Sequence, residues 1–361
     1  MQLRLEPPAD LRDPGDPEAR RRHRDLLVRW TSRADEAPPA PDPDTLLRQE
    51  TTRMREAPWT YWVPDASRLA RRLGPADAPA LLFAAGTPDL STPTVAVVGT
   101  RRPDAYGMAM ARRIGHALAR VGAIVASGGA LGIDGAAHEA ALEAGGRTIA
   151  VLGGGLGMPH PPSHRTMFDR IAATPGCCLL SEAPCLGPAR PFCFPQRNRL
   201  LAALADAVVV VQAGMPSGAL ITAERAKGIG VPVFAVPGDA WYERSAGTLA
   251  LLRAGARVFA GPADLASVPD LAGVEGAPWP NAGGRPPGLP TPWDPDPGPP
   301  PAALPPDADA AMVAIAAGAR NVDQIVEATR LHAGRVQAAL LSLEIAGRVR
   351  VLPGGLVVPL R

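Results

Sequence analysis

The segment FPQRNRLLAALADAVVVVQAGMPSGALITAE, residues 194–224, decides the fold of this chain. It begins with two arginines on either side of Asn198 and continues into a short apolar stretch typical of a helix. The apolar run 207–211 predicts a strand buried on both faces, and the small-residue loop 214–218 leads into another predicted helix. A buried strand followed by a Gly/Ser turn at a helix N-terminus is a common phosphate-binding arrangement. The segment therefore predicts a phosphate site, for a nucleotide, a dinucleotide or a nucleic-acid backbone.

Strands and helices alternate on both sides of this segment. Short apolar runs predict strands, and each is followed by a loop and a helix-length amphipathic stretch; the runs are 95–98, 123–126, 147–152, 178–181, 207–211, 231–236 and 257–260. This alternation predicts an α/β fold of the extended Rossmann-like, doubly wound type, with a mostly parallel sheet covered by helices on both faces. The loops beyond the carboxyl ends of the strands then form one crevice.

The segments before and after the strand–helix alternation predict an N-terminal region, a linker and a C-terminal domain. Residues 1–75 predict a small helical N-terminal region or a partly disordered arm, and residues 76–270 form the α/β domain. Residues 278–306 contain thirteen prolines in twenty-nine positions, so we assign a proline-rich linker to residues 271–306. Three short predicted helices and a hairpin over residues 307–361 indicate a winged-helix-like domain.

The distribution of charged and apolar residues indicates which partners and which compartment to expect. Lys227 is the single lysine, so nearly all positive charge is guanidinium. The net charge is +2, but residues 94–262 carry sixteen Lys or Arg against ten Asp or Glu, a local excess of +6. A basic middle domain is compatible with a polyanionic partner. With no signal-like N-terminus and no apolar run long enough to cross a bilayer, we expect a cytoplasmic protein without membrane attachment.

The four cysteines, Cys177, Cys178, Cys185 and Cys193, lack the paired spacing of zinc ligands. Reduced thiols in a cytosolic protein are the simpler interpretation. We therefore expect neither a metal nor a cofactor.

Polar residues follow two of the predicted strands. Gly99, Thr100 and Arg101 come directly after the first strand, where a glycine permits close approach and arginine offers donors to phosphate oxygens. Gly128 and Gly129 follow the second strand. A dinucleotide site would need G-x-G-x-x-G after the first strand, and the residue two after Gly99 is arginine, which disfavours that class of ligand.

Asp134 and His138 stand four residues apart and share one face of a predicted helix. An acid–base pair is one interpretation; a structural one, in which Asp134 caps the helix and His138 packs or bonds nearby, is favoured. Arg197 and Arg199 stand two apart at a helix start, so we expect one to face the crevice and the other a neighbouring group.

The run 94–264 resembles the DNA-processing protein A family, also called DprA or Smf. The similarity is carried in order by VAVVGTRRPDAYG (95–107), SGGALGIDGAAHEAAL (127–142), TIAVLGGGLGMPHPPSH (148–164), LLSEAP (179–184), FPQRNRLLAALADAVVVVQA (194–213), SGALITAERA (217–226), VFAVPG (233–238) and SAGTLALLRAGA (245–256). Order, spacing and number together make the resemblance specific, and it covers nearly half of the chain.

The resemblance implies a non-enzymatic mediator that binds single-stranded DNA, forms a homodimer, and helps to load RecA recombinase in natural transformation. Together with the loop residues above, it implies a DNA- or phosphate-binding crevice formed by Gly99, Thr100, Arg101, Arg102, Gly128, Gly129, Arg165, Arg197, Asn198, Arg199, Ser217, Gly218 and Thr222. Asp134 and His138 keep the structural role.

The chain departs from the family pattern at four positions. The family usually has arginine where Leu131 stands, Asp and Tyr where Gly157 and His160 stand, and Glu where Gln212 stands. A lost arginine could weaken one phosphate contact, for which Arg102 could compensate.

An enzymatic alternative uses the same fold class. Nucleoside-monophosphate phosphoribohydrolases of the LOG (lysine-decarboxylase-like) group place a glycine-rich turn, Thr and Glu around a ribose phosphate, and residues 217–224 are a partial analogue. Those enzymes typically show two adjacent glycines followed by Gly-Thr where this chain has SGALIT. The Gln-Arg-Asn-Arg segment and the C-terminal domain also favour the mediator.

Overall fold

The computed structural model describes residues 11–32, 42–57, 59–64, 68–87, 91–277, 279, 306–346, 348–352 and 355–359. Contacts divide the chain into two units, Met1–Arg285 and Pro286–Arg361. Each unit has its own apolar core.

The strands and helices of the described residues follow the predicted alternation. The strands are β1 (Leu11–Arg12), β2 (Trp59–Trp62), β3 (Leu82–Gly86), β4 (Thr94–Val98), β5 (Ile124–Ser127), β6 (Arg147–Leu152), β7 (Cys178–Ser181), β8 (Ala207–Val210), β9 (Val233–Ala235), β10 (Arg257–Val258), β11 (Val349–Val351) and β12 (Val357–Pro359). The helices are α1 (Pro17–Ser32), α2 (Pro43–Glu56), α3 (Arg68–Asp77), α4 (Ala105–Arg120), α5 (Ile133–Glu143), α6 (Arg165–Ala173), α7 (Cys193–Leu204), α8 (Gly218–Gly228), α9 (Ala246–Arg253), α10 (Pro306–Ala316), α11 (Val322–Thr329) and α12 (Ala333–Ile345).

The first ten strands form one sheet in the order β1-β2-β3-β7-β6-β5-β4-β8-β9-β10. Pairing is parallel from β7 through to β10, and antiparallel where β1, β2 and β3 extend the sheet beyond β7. The chain winds from β4 outward to β7 and then returns to place β8 on the other side of β4. The strand order reverses between β4 and β8, and ligands of such sheets bind outside the carboxyl ends at this point.

Each strand of the sheet interior buries both faces. In β4, Val95 and Val97 pack towards α4 and α5, while Ala96 and Val98 pack towards α7 and α8. All four side chains are buried, which is why the strand sequences read as continuous apolar runs rather than alternating ones. The predicted doubly wound, mostly parallel fold is confirmed.

The N-terminal region is helical, as predicted, but it also adds two strands to the sheet. Trp59–Trp62 pairs antiparallel with β3, and its Tyr61 and Trp62 are fully buried on opposite faces. Aromatic and Thr side chains favour a half-buried extended strand, but four residues were too few to be recognised by periodicity. The segment before residue 76 is therefore part of the α/β unit.

A buried polar cluster fixes α1 and α2 to the sheet. The Glu50 carboxylate accepts hydrogen bonds from His23 Nε2 (2.8 Å), from the backbone N–H of Cys185 (2.9 Å) and from that of Leu186 (2.9 Å). His23 Nδ1 lies 3.0 Å from the hydroxyl of Tyr61 in β2. Since the carboxylate is almost fully buried, these bonds replace the water that it loses on folding.

The linker assigned to residues 271–306 begins later than expected. Short 3₁₀ turns cover Pro262–Ser267 and Pro269–Gly276, and their Leu271 and Val274 are buried against the α4–α5 side of the sheet. Leu271 and Val274 lie one 3₁₀ turn apart and so share a face, which composition alone did not reveal. Residues 278 and 280–305 lie outside the described residues.

The C-terminal unit has the predicted winged-helix arrangement. Helices α10, α11 and α12 and the β11–β12 hairpin enclose an apolar core that includes Ile315, Ile325, Leu340 and Leu343. Arg335 of α12 forms a two-bond ion pair with Asp307 of α10 at 2.6 and 2.7 Å. Its charge is thereby largely offset within the unit.

We expect Glu50→Ala to lower the free energy of unfolding of the α/β unit by about 3 kcal/mol, because it leaves His23 and two buried N–H groups without their acceptor. Urea unfolding followed by tryptophan fluorescence measures the change. Glu56→Ala is the matched control on the same helix: Glu56 is exposed, its ion pair with Arg53 spans 3.4 Å, and the expected change is below about 1 kcal/mol. Equal effects of the two substitutions would contradict the role of the buried cluster.

Candidate functional site

A cavity of about 290 Å³ lies where the strand order reverses, between the loops that follow β4 and β8 and the start of α7. Most of the predicted crevice residues line it: Gly99, Thr100, Arg101, Arg197, Asn198, Ser217, Gly218 and Thr222. We call it the switch-point cavity. Its walls come from segments more than a hundred residues apart, which the sheet topology brings together.

Arg197 is the central cation of the switch-point cavity. Its side chain is only 7% exposed, and its Nε and Nη1 are buried without a hydrogen-bond partner. The guanidinium lies directly against the backbone of Gly128, where the Cβ of any other residue would collide with it. Buried donors without partners are costly, and an oxyanion that enters the cavity could satisfy them.

Asp134 is the carboxylate that lines the same cavity, and it is also buried. Burial raises the pKa of Asp134 and lowers that of Arg197, while attraction between the two charges opposes both shifts. The expected capping role is wrong: α5 begins after Gly132, and Asp134 accepts from the backbone N–H groups of Gly128 (3.0 Å) and Ala130 (3.4 Å). Asp134 thus holds the loop that supports Arg197.

Helix α8 points its N-terminus at the cavity. Ser217 is the N-cap, and its hydroxyl accepts from the N–H of Ala219 at 3.3 Å. Asn198 donates from Nδ2 to the carbonyl of Gly218 at 3.2 Å, which fixes α7 against the first turn of α8. The positive end of the α8 dipole therefore adds to the field of Arg197.

Phe194 forms one wall, a role that the sequence interpretation missed. The Arg101 guanidinium lies over its ring at 5.2 Å from the centroid, and the His160 ring meets its edge at 6.0 Å. Phe194 is half-buried and packs against Gly153. An aromatic ring immediately before the Pro-Gln-Arg-Asn-Arg segment was the available signal. The arrangement offers a guanidinium for phosphate and an aromatic surface for a base.

Five predicted site residues lie outside the lining of the switch-point cavity: Arg102, Gly128, Gly129, Arg165 and Arg199. Arg102 is exposed on the loop after β4, and Arg165 is exposed at the start of α6, where it pairs with Asp169 at 3.1 Å. Gly129 has a positive φ of 69°, and a Cβ there would point at Phe168, so it shapes the loop. Arg199 faces the other side of α7, as expected of one of the two arginines, and pairs with Glu182 at 2.7 Å.

The departures from the family pattern have different structural settings. Gln212 donates from Nε2 to Asp104 (2.9 Å) and accepts from the Asp104 backbone N–H (3.2 Å), two bonds that an ionised glutamate could not both make. Leu131 is 44% exposed and lines a small recess with Gly128, His160 and Phe194. Gly157 lies where a Cβ would approach the Cys185 carbonyl.

His138 lies outside the cavity lining and is fully buried. Thr148 Oγ1 donates to the carbonyl of Val125, so it accepts from His138 Nδ1 at 2.6 Å. Burial, with the nearby His164 and Arg197, lowers the pKa of His138 to about 3. The imidazole is therefore neutral and ties α5 to β6, in keeping with a structural role.

Within the described residues, no three His, Cys, Asp or Glu side chains come together as metal ligands. The cysteines are all buried free thiols, and burial raises the pKa of each. None of the helices in the described part of the chain is both long and apolar enough to cross a bilayer.

Comparison with known protein families matches both units. Residues 59–268 match the family model of DNA recombination-mediator protein A, and residues 295–355 match the DprA winged helix domain. The chain belongs to the DNA recombination-mediator protein A family. The first match includes β2 and β3, which agrees with the antiparallel extension of the sheet.

Similar members of this family come from several bacteria. The chain is 43% identical to the putative DNA processing protein DprA of Mycobacterium tuberculosis over 55% of this chain and 53% of that protein. It is 39% identical to protein Smf of Synechocystis over 73% of this chain and 69% of that protein. The match thus spans about half the length of the mycobacterial relative. The X-ray structure of DprA from Streptococcus pneumoniae covers 71% of this chain and 94% of its own, at 29% identity and a TM-score of 0.54.

The neutral His138 makes stability depend on pH. Its folded pKa of about 3 lies below the ordinary value of 6.5, so the unfolded chain binds one more proton between these values. Stability is therefore lost as pH falls from about 6.5 towards 3, by about 2 kcal/mol at pH 5. We expect His138→Leu to remove this part of the loss between pH 7 and pH 5 in urea unfolding. The exposed His116→Gln should retain it, and an unchanged loss in His138→Leu would refute the assignment.

Proposed function

We propose that this chain is a single-stranded DNA-binding recombination mediator that acts in the cytoplasm, protects incoming DNA and helps to load RecA recombinase in natural transformation. Membership of the DNA recombination-mediator protein A family supports the proposal. The observation that carries it is the buried guanidinium of Arg197, which lines a cavity at the point where the strand order reverses and whose Nε and Nη1 have no hydrogen-bond partner.

The switch-point cavity suits a nucleic-acid backbone. A phosphate between Arg101, Arg197 and the N-terminus of α8 would accept hydrogen bonds from fixed donors without any contact to base edges. Phe194 adds one stacking surface, and stacking is tolerant of sequence because every base has a π-face. The expected binding is therefore independent of sequence and sensitive to salt.

A homodimer has support in the open edge of the sheet. Within the described residues, β10 pairs on one side only, with β9. Arg257 and Val258 of this strand are exposed, and Val258 shows 52% of its surface. An unpaired edge strand presents free N–H and C=O groups with which a second copy can pair. We propose that this edge contributes to the dimer.

The phosphate role of Arg101 predicts a change in salt dependence. We expect Arg101→Gln to weaken binding of a twelve-nucleotide oligo(dT) and to reduce the slope of log K against log salt by about 0.7, the value for one phosphate contact on a single strand. Fluorescence anisotropy at several salt concentrations measures both quantities. Arg253→Gln is the control, because Arg253 is exposed at the end of α9 and lines no part of the cavity. A slope identical to that of the unsubstituted chain would contradict the proposal.

We also propose that the site is not enzymatic. Asp134, the carboxylate in the cavity lining, is occupied by two backbone N–H groups, and the exposed Glu224 is not among the lining residues. A general base must reach the proton that it removes, and neither acid is so placed. On incubation with AMP, we expect no adenine above the background of a sample without protein, measured by liquid chromatography. Rapid release of adenine would overturn the proposal in favour of a phosphoribohydrolase.

A further inference from the structure

A second and larger cavity, of about 500 Å³, lies beyond the carboxyl ends of β6 and β7. Helix α1 forms one wall through Leu26, Arg29 and Trp30, and the first turns of α7 form another. We call it the α1–α7 cavity. Among the described residues, Arg197 is the one lining residue that it shares with the switch-point cavity.

The lining of the α1–α7 cavity is cationic. Four arginines line it, Arg29, Arg197, Arg199 and Arg225, against two carboxylates, Asp77 and Glu182. Low-dielectric walls with one predominant sign of charge concentrate the field and favour an anionic ligand.

Arg199 has one satisfied and one unsatisfied end. Its Nη2 lies 2.7 and 2.8 Å from the two carboxylate oxygens of Glu182. Its Nη1 is buried and has no hydrogen-bond partner. The ion pair holds the guanidinium in place, and the unpaired Nη1 is suited to donate a hydrogen bond to a phosphate oxygen.

An aromatic surface lies in the same cavity. Trp30 is half-buried there; Arg190 lies over its ring at 5.1 Å from the centroid, and Phe192 packs against it at 6.1 Å between centroids. These contacts hold the indole in a fixed orientation. A nucleobase can stack on such a ring without any hydrogen bonds to its edges.

Arg197 lines both cavities, so they meet at the first turns of α7. We propose that the α1–α7 cavity is a second nucleotide subsite, in which Arg199 and Arg225 hold a phosphate and Trp30 stacks a base of the same strand that occupies the switch-point cavity. The inference rests on the proposed function. It makes the N-terminal helix α1 part of the path of the strand.

The test compares short and long ligands on the full chain. Fluorescein-labelled (dT)₂ and (dT)₁₂, both with a 5′-phosphate, are titrated against Trp30→Leu and Arg225→Gln. Trp241→Leu and Arg253→Gln are matched controls, since Trp241 is 97% exposed and neither residue lines either cavity. We expect both test variants to weaken (dT)₁₂ at least about fivefold and to leave (dT)₂ within about twofold, as one stacked base or one phosphate contact would. Arg225→Gln should also lower the salt slope for (dT)₁₂ alone.

Several results would overturn the second subsite. One is equal affinity of both variants and the unsubstituted chain for (dT)₁₂. Another is an equal loss for (dT)₂ and (dT)₁₂, which would mean that α1 and α8 merely support the first cavity. A free nucleotide carries the same phosphate and base, so dTMP is titrated as well; Trp30-dependent binding of dTMP with unchanged (dT)₁₂ affinity would exclude the strand. Failure of the unsubstituted chain to bind either oligonucleotide would instead overturn the proposed function itself.

Discussion

The α/β unit is built around a charge that most folds exclude from their interior. The Arg197 guanidinium lies among the ends of the central strands, so its desolvation must be offset within the fold. Three features of the structure provide for this. Gly128 leaves the space that the guanidinium occupies, Asp134 supplies an opposing charge, and the Asp134 carboxylate is itself held by backbone N–H groups of the loop after β5. The Nε and Nη1 of the guanidinium remain without a hydrogen-bond partner, and Arg197 lines the switch-point cavity.

The N-terminal helices α1 and α2 hold the segment that leads into α7. Glu50 binds the backbone at Cys185 and Leu186, in the segment that joins β7 to α7. The same carboxylate is bonded to His23 of α1, so α1, α2 and the approach to α7 form one polar cluster. Because α7 carries both Arg197 and Arg199, fixing its approach also fixes where their side chains start. The N-terminal region is thus a wall of the α1–α7 cavity and part of the α/β unit.

Much of this could be predicted from the sequence, because apolar strand runs and the loops after them determine which residues meet at the sheet edge. That rule predicts that the loops after β4 and β8 lie together, and Gly99 and Ser217 of these loops both line the cavity. Pairings decided by side-chain direction could not be predicted. The partner of Arg199 depends on where α7 begins, and Phe194 lines the cavity because Gly153 leaves room for its ring. The strand Trp59–Trp62 was missed because its stability comes from pairing with β3, a contact distant in sequence.

The formal charge of the middle domain overstates the positive field that a polyanion would meet. Arg165 is paired with Asp169 and Arg170 with Glu139, both near α6 and away from the switch-point cavity. In the C-terminal unit, Arg335 is paired with Asp307. By contrast, Arg197 has two nitrogens without hydrogen-bond partners, and the N-terminus of α8 lies at the same cavity. The position of the unpaired donors, and not the total charge, therefore distinguishes the site.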